Sequence, residues 1–134
     1  MLSQEATTLA GILLLALVTV ESGGLYLLRI VRRQAEVTEF QEKFARAGHA
    51  HAGVLLLLAL LVQPYVDAAG QDGPLGWLSR SGVAVAALLM PGGFFLSSLG
   101  AGRTRPNGLI VLVFAGAAVL AVSLTSLGIG LLVA

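Results

Sequence analysis

The sequence predicts an all-α integral membrane protein: one domain, residues 1–134, built as a bundle of four transmembrane helices. Composition is the first reason, because 57% of the residues are hydrophobic and 11% are charged, whereas about a quarter of a soluble domain is charged. The second reason is that the apolar residues fall into four long runs: Thr8–Val31, Ala50–Val66, Ser81–Ala101 and Leu109–Ala134. A helix of about 20 apolar residues crosses the hydrocarbon core of a bilayer, so each run predicts one span.

The first run is predicted to be a retained transmembrane helix, and it contains one acidic residue, Glu21. Arg29 follows eight residues later, which at 1.5 Å per residue places Glu21 about 12 Å below the membrane surface. An ionisable group at this depth is costly unless it has a partner. Two interpretations stay open: a protonated carboxyl that locks two helices together, and a group that carries protons or binds a cation. Gly23 and Gly24 would let a neighbouring helix approach closely.

The segment between the first two runs predicts a short amphipathic helix on the cytoplasmic surface, before helix 2. Thr38 followed by Gln41 fits a capping box, and two favourable i,i+4 ion pairs follow. Four apolar residues form a stripe at helical spacing: Val37, Phe40, Phe44 and Ala47. The alternative is that these residues simply extend the second transmembrane helix.

The two histidines of the chain, His49 and His51, open the second run. By the same arithmetic they lie about 4–8 Å deep, so they fall in the same half of the bilayer as Glu21. Residues two apart on a helix point about 200° away from each other, which counts against one metal ion bound by both imidazoles. His49, His51 and Glu21 are the candidate metal ligands, with one histidine facing the bundle and the other serving a second site or a neighbouring subunit.

The surroundings of the histidines favour haem among the cofactors. Apart from the histidines, residues 47–53 are all Ala or Gly, and such small neighbours leave a flat face beside an imidazole. Arg46 could meet a propionate. The second axial position could be open, or its ligand could come from Met90, from the other histidine or from a symmetry-related chain. The same small residues also permit tight helix packing, and that interpretation stays open.

The third run is interrupted by Pro91, which predicts a break or a packing kink in the third helix. Beyond it, Ser97 and Ser98 are expected at the depth of Glu21 and are candidates, together with Glu21, for a proton or cation site. Small residues four apart predict close packing of the third and fourth helices. These residues are Gly93, Ser97 and Ala101 on one helix, and Ala117, Ala121 and Thr125 on the other.

The basic residues set the expected orientation. Seven of the eight flank the connections between helices 1 and 2 or between helices 3 and 4: Arg29, Arg32, Arg33, Lys43, Arg46, Arg103 and Arg105. Basic residues favour the cytoplasmic side, so both termini are expected outside (N-out/C-out) in a multi-pass protein of the inner (plasma) membrane. The net charge of +1 predicts no nucleic-acid partner, and the lack of cysteine excludes disulfides and thiolate metal sites.

Several resemblances to known families fall on these residues. The segment Phe44–Leu56, FARAGHAHAGVLL, resembles the histidine-bearing second helix of the haem-copper oxidase superfamily, whose later histidines have no counterpart here. The resemblance therefore does not imply oxygen reduction. The same segment is similar to the Arg-Ala-His-x-Asn-x-x-Glu motif of membrane glutathione transferases, without its asparagine and glutamate. Glu21 on the first of four helices is similar in layout to small multidrug-resistance transporters. The whole chain resembles uncharacterised four-helix bacterial membrane proteins that carry Glu-x-Gly-Gly and Arg-Ala-Gly-His-Ala-His-Ala-Gly-Val.

The expected function is an intramembrane Glu/His site that binds a cofactor or a cation, with haem as the leading candidate. One alternative is a small proton-coupled transporter that works as an oligomer through Glu21. Another is a non-catalytic accessory subunit of a larger membrane complex. No nucleophile triad, phosphate loop or dinucleotide fingerprint is present. Besides the lipid bilayer, the expected partners are further copies of the chain or other subunits of a membrane complex.

Overall fold

The computed structural model describes all 134 residues, and it folds them into four long helices. These are α1 (Gln4–Val31), α2 (Glu39–Ala68), α3 (Gly73–Ser97) and α4 (Val111–Val133), with a single 3₁₀ turn, Gly108–Ile110, before α4. All four are long and apolar enough to span a membrane. The prediction of an all-α chain with four membrane-span-like helices is therefore confirmed.

The predicted separate amphipathic helix is not formed, because α2 runs without a break from Glu39 to Ala68. The predicted capping box is present, with Thr38 as the N-cap and Gln41 closing it. The apolar stripe packs against protein: the Phe44 ring lies 4.2 Å from that of Phe40 and 5.4 Å from that of Phe94 on α3. Since α3 covers this stripe, the segment is better placed as the first turns of α2 than on a membrane surface.

Helix α3 stays helical through Pro91, so the predicted break is absent. It packs closely on α4 because glycines remove side chains from the interface. A Cβ on Gly93 would lie 2.6 Å from Val113 Cγ2, and a Cβ on Gly116 would lie 2.5 Å from Met90 Cγ. The role predicted for Gly93 in close packing is thus confirmed.

The prediction of which face of α4 packs on α3 is wrong. Its three small residues Ala117, Ala121 and Thr125 are exposed, and the residues buried on α4 are Gly116, Ser123, Leu127 and Gly130. Gly116 and Ala117 are adjacent, and adjacent residues differ by about 100° around a helix. The helix is apolar on every side, so its sequence does not indicate which face is covered.

The four helices form an open arrangement. Helix α2 packs on α1 and α3, and α3 packs on α2 and α4, whereas α1 packs extensively only on α2. In an 18-residue apolar window of each helix, 33% of α2 and 44% of α3 is buried, compared with 6% of α1 and 11% of α4. The core therefore lies mainly between α2 and α3, and α2 is the main protein neighbour of α1.

Both basic connections lie at one end of the molecule and are tied together. The Gln41 amide donates hydrogen bonds to the carbonyl oxygens of Ser98 (3.0 Å) and Gly100 (2.8 Å), and the Thr38 hydroxyl donates to the carbonyl of Arg103. We call this the basic end, and the end that contains the α2–α3 turn the opposite end. Which side of the membrane each end faces stays a prediction.

Candidate functional site

Glu21 lies on the exposed surface of α1. The ion pairs of the protein are Lys43–Glu39, Arg46–Glu42 and Arg80–Asp67, so Glu21 belongs to none of them. The neighbouring Val20 packs toward the core, and Glu21 is turned about 100° from it around the helix. The expected contact between Glu21 and a histidine of α2 is therefore not formed within one chain.

His49 lies in the seam between α1 and α2, over the two glycines that follow Glu21. A Cβ on Gly23 would be 3.0 Å from His49 Nδ1, and a Cβ on Gly24 would be 3.6 Å from His49 Cε1. The glycines thus make room for an imidazole as well as for a helix backbone. The His49 side chain is half-buried, and in contrast to His51 it has no hydrogen-bonding partner within the chain.

His51 faces α3 instead. Its Nδ1 lies 2.7 Å from the carbonyl oxygen of Ala47, and its ring centroid lies 5.0 Å from that of Phe94. A neutral imidazole that donates from Nδ1 keeps its lone pair on Nε2. The two histidines therefore diverge as their spacing predicts, and no group of three or more His, Cys, Asp or Glu residues is placed to hold a metal ion.

Met90 and Arg46, the other residues expected at a haem, are engaged elsewhere. Met90 is buried and packs on Gly116 of α4. The Arg46 guanidinium forms an ion pair of 2.6 Å with Glu42. The three candidate axial ligands, His49, His51 and Met90, thus face α1, α3 and α4. No two of them can therefore ligate one haem from both sides within one chain.

Ser97 and Ser98 are buried at the end of α3 and serve the fold of the basic end. The Ser97 hydroxyl lies 3.4 Å from the carbonyl oxygen of Phe94, and the Ser98 hydroxyl donates to that of Phe95 at 3.0 Å. Their own carbonyls accept from the backbone N–H of Asn107 (2.9 Å) and from the amide of Gln41 (3.0 Å). The structure brings neither serine into a hydrogen bond with Glu21.

A second polar cluster, which was not predicted from the sequence, lies at the opposite end. The Arg80 guanidinium donates to Asp67 Oδ1 (2.6 Å) and to Gln63 Oε1 (3.3 Å). The backbone N–H and the hydroxyl of Ser3 each donate to the Asp67 carboxylate at 2.8 Å. All of these donors favour the ionised carboxylate. The cluster joins α1, α2 and α3.

One signal in the sequence could have indicated this cluster. Gln63 and Asp67 are four residues apart, so they share one face of α2. Arg80 is the one basic residue outside the two basic connections. A lone arginine near the end of a span needs an anionic partner, and Asp67 is the acidic residue across the turn.

Gln71 anchors the α2–α3 turn to α4. Its amide nitrogen donates to the carbonyl oxygen of Ser126 at 3.0 Å, and Gly130 leaves the space that the amide occupies. Its Oε1 atom is buried and has no hydrogen-bonding partner. A second bond of 3.0 Å joins the hydroxyls of Ser79 and Ser126.

Cavities lie at both ends of the molecule, away from the predicted site. One of about 350 Å³ at the opposite end is lined by Glu5, Asp67, Asp72 and Arg80 among others. Another of about 600 Å³ at the basic end lies between the end of α1 and the start of α2. Neither is lined by Glu21, a histidine or Met90.

The geometry thus leaves the Glu21 carboxyl on α1 and the His49 imidazole, at the seam of α1 with α2, without a partner inside the chain. No protein-family model matches the chain, and no curated protein and no solved structure is detectably similar to it. The resemblances drawn from the histidine segment therefore stay predictions.

Proposed function

We propose that this chain is a non-catalytic subunit of a membrane assembly, and that α1 is the helix by which it docks laterally on a partner. The observation that carries this proposal is Glu21, which is exposed on α1 and has no ion-pairing partner. Ionisable residues within transmembrane segments almost always face protein or a water-filled cavity. A partner on α1 would supply that environment.

Energetics support a docking role for α1. Only 6% of its apolar window is buried, although the helix contains a carboxyl group. Acidic and basic residues at the centre of a span cost roughly 2.5–3.5 kcal/mol on translocon-insertion scales. A hydrogen-bond donor on a second protein would offset part of that cost, whereas lipid chains offer none.

The exposed face of α1 is suited to a close helix–helix contact. It carries Gly11, Thr19 and Ser22, all of which are exposed. The hydroxyls of Thr19 and Ser22 already donate to carbonyls of their own helix, each at 2.6 Å. Small residues with satisfied polar groups let two transmembrane backbones approach each other.

The test is site-specific photo-crosslinking in native membranes. A photoreactive residue at Ser22 on α1 is compared with one at Val122, which is exposed on α4. We expect a crosslinked product of higher mass from position 22, weakened by Glu21→Leu, and none from position 122. A chain that crosslinks only to lipid from position 22 would overturn the proposal.

Haem binding stays a prediction with its own measurement. Because the candidate ligands face different helices, two-sided haem ligation would need a ligand from another chain, whereas a haem with an open position needs one histidine. The visible spectrum of the detergent-purified protein tests this. A haem absorption band that His49→Ala abolishes and Glu21→Gln only weakens would replace the accessory role by a cofactor-binding one.

A further inference from the structure

We propose that the partner on α1 is a second copy of this chain, and that Glu21 of each copy hydrogen-bonds His49 of the other. The inference deepens the proposed lateral docking of α1 and rests on it. Its basis is that the exposed Glu21 carboxyl on α1 and the His49 imidazole, which lies over Gly23 and Gly24 of the same helix, are both unpaired. Neither finds a partner within the chain, so both stay available to a neighbour.

Depth within the membrane is the first argument. The His49 ring lies over Gly23 and Gly24, which follow Glu21 by two and three residues, a rise of about 3–4.5 Å along α1. A twofold axis along the membrane normal keeps every residue at its own depth in both copies. Glu21 of one copy and His49 of the other therefore meet at nearly the same level.

Complementarity argues for a second copy over an unrelated protein. In a twofold contact each surface must be its own complement, so that residue i meets residue j while j meets i. A surface with one carboxyl acceptor and one imidazole donor meets this requirement. An unrelated partner would have to supply both a donor for Glu21 and an acceptor for His49, whereas a second copy of the chain already carries both groups.

A third argument is that a neighbouring chain has access to the imidazole. Ala50, next to His49, is exposed, and a Cβ on Gly53 would meet no other atom within 4 Å. His49 itself is half-buried, so one edge of the ring is open. These small residues leave α2 shallow beside the ring, where a carboxyl side chain from a neighbouring helix can reach it.

The experiment mixes two variants in lipid vesicles. Purified chains carrying Glu21→Leu or His49→Leu, whose new side chains cannot form a hydrogen bond, are labelled with different fluorophores, and energy transfer reports their dimers. In a mixed dimer, one Glu21–His49 contact survives, because the first variant supplies His49 and the second supplies Glu21. Each variant alone loses both symmetry-related contacts. At about three- to fifteen-fold for each interhelical hydrogen bond, we expect each variant alone to dimerise roughly ten- to two-hundred-fold more weakly than wild type, and mixed dimers to exceed random mixing.

A matched control replaces His49→Leu by His51→Leu, because the His51 ring faces α3. That variant keeps His49, so it should dimerise as wild type does. Mixing it with Glu21→Leu should give a dimerisation free energy no more favourable than the mean of the two homodimers. Thermal unfolding in detergent confirms that each variant is folded. Mixed dimers of Glu21→Leu and His49→Leu in the proportions of random mixing would overturn the contact between copies.

The outcomes also separate this inference from the proposed function. A wild-type chain that stays monomeric in vesicles, yet crosslinks from position 22 to a different protein in native membranes, would overturn the second copy and leave the docking role of α1 intact. A wild-type chain that stays monomeric in vesicles and forms no protein crosslink from position 22 in native membranes would overturn both proposals. Dimers that form equally well with Leu at position 21 would show that α1 docks without the proposed hydrogen bond and would overturn the inference.

Discussion

At the scale of single residues, Arg80, Asp67 and Gln63 decide how the opposite end is held together. The two charged side chains are 15% and 17% exposed, and Gln63 is 1% exposed. Removing one member of such a cluster leaves another polar group without its partner, which costs more than removing both. We therefore expect mutations within this cluster to have non-additive effects on the free energy of unfolding.

We expect Arg80→Met to lower the free energy of unfolding by about 2 kcal/mol, because the Asp67 carboxylate loses its charged donor. The double variant with Asp67→Leu should lose less than the sum of the two single changes. Denaturant unfolding in detergent measures all three. Lys43→Met is the control, since it breaks an exposed ion pair with Glu39 that is worth less than about 1 kcal/mol. If the losses in the free energy of unfolding of the two single variants simply add in the double variant, Arg80 and Asp67 do not stabilise each other.

A second residue-scale prediction concerns the packing of the His49 ring on Gly23. Gly23→Ala places a methyl group 3.0 Å from His49 Nδ1, so we expect lower thermal stability and a ring displaced from the seam. Gly11→Ala on the same helix meets no atom within 4 Å and should be neutral. Equal effects of the two substitutions would mean that His49 does not pack on Gly23.

At the scale of the elements, the sequence predicts each helix better than the face it buries. The capping box at Thr38 is a local signal, and the structure contains it. The stripe from Phe40 to Phe44 is also local, but whether it meets lipid or α3 depends on a distant contact with Phe94. Helix α4 is apolar on every side, so polarity does not decide which of its faces is buried. The buried face is the one that packs on the glycines of α3, such as Gly93.

The α3–α4 interface allows a test with adjacent residues. Gly93→Ala would bring its Cβ to 2.7 Å from the backbone nitrogen of Val113, whereas a Cβ on Gly92 meets nothing within 4 Å. We expect Gly93→Ala to cost about 1–3 kcal/mol through overpacking, and Gly92→Ala to be tolerated. Unfolding in detergent measures both. A tolerated Gly93→Ala would show that α4 lies farther from α3 than in this structure.

At the scale of the whole molecule, four spans can be predicted from composition, but the open arrangement cannot. Nothing in an apolar run states how many neighbours its helix has. The predicted site failed for the same reason: depth arithmetic placed Glu21 and the histidines at one level, but the rotation of α1 about its axis decides whether they meet. The rotation of α1 is seen in the structure from Val20, which packs toward the core and leaves Glu21 on the outer face.

The orientation gives a prediction at this scale. If both basic connections are cytoplasmic, a reporter active only outside the cytoplasm should work when fused after Ala134, and a cytoplasmic reporter should work within residues 102–107. The hydrogen bonds of Gln41 to Ser98 and Gly100 place the two connections at one end, so both fusions must agree. The reverse pattern would place the histidines near the outer surface.

The single interface of α1 has a consequence for how the molecule opens. Helices α2, α3 and α4 are joined by extensive packing, but α1 is attached through α2 and the hydrogen bonds of Ser3 to Asp67. Elements with few buried contacts open at lower free energy than the core. We therefore expect α1 to move away about the Arg32–Thr38 connection at a lower free energy than that needed to unfold the other three helices. A partner that binds α1 would hold it against α2 and, by mass action, raise the free energy of unfolding of the whole chain.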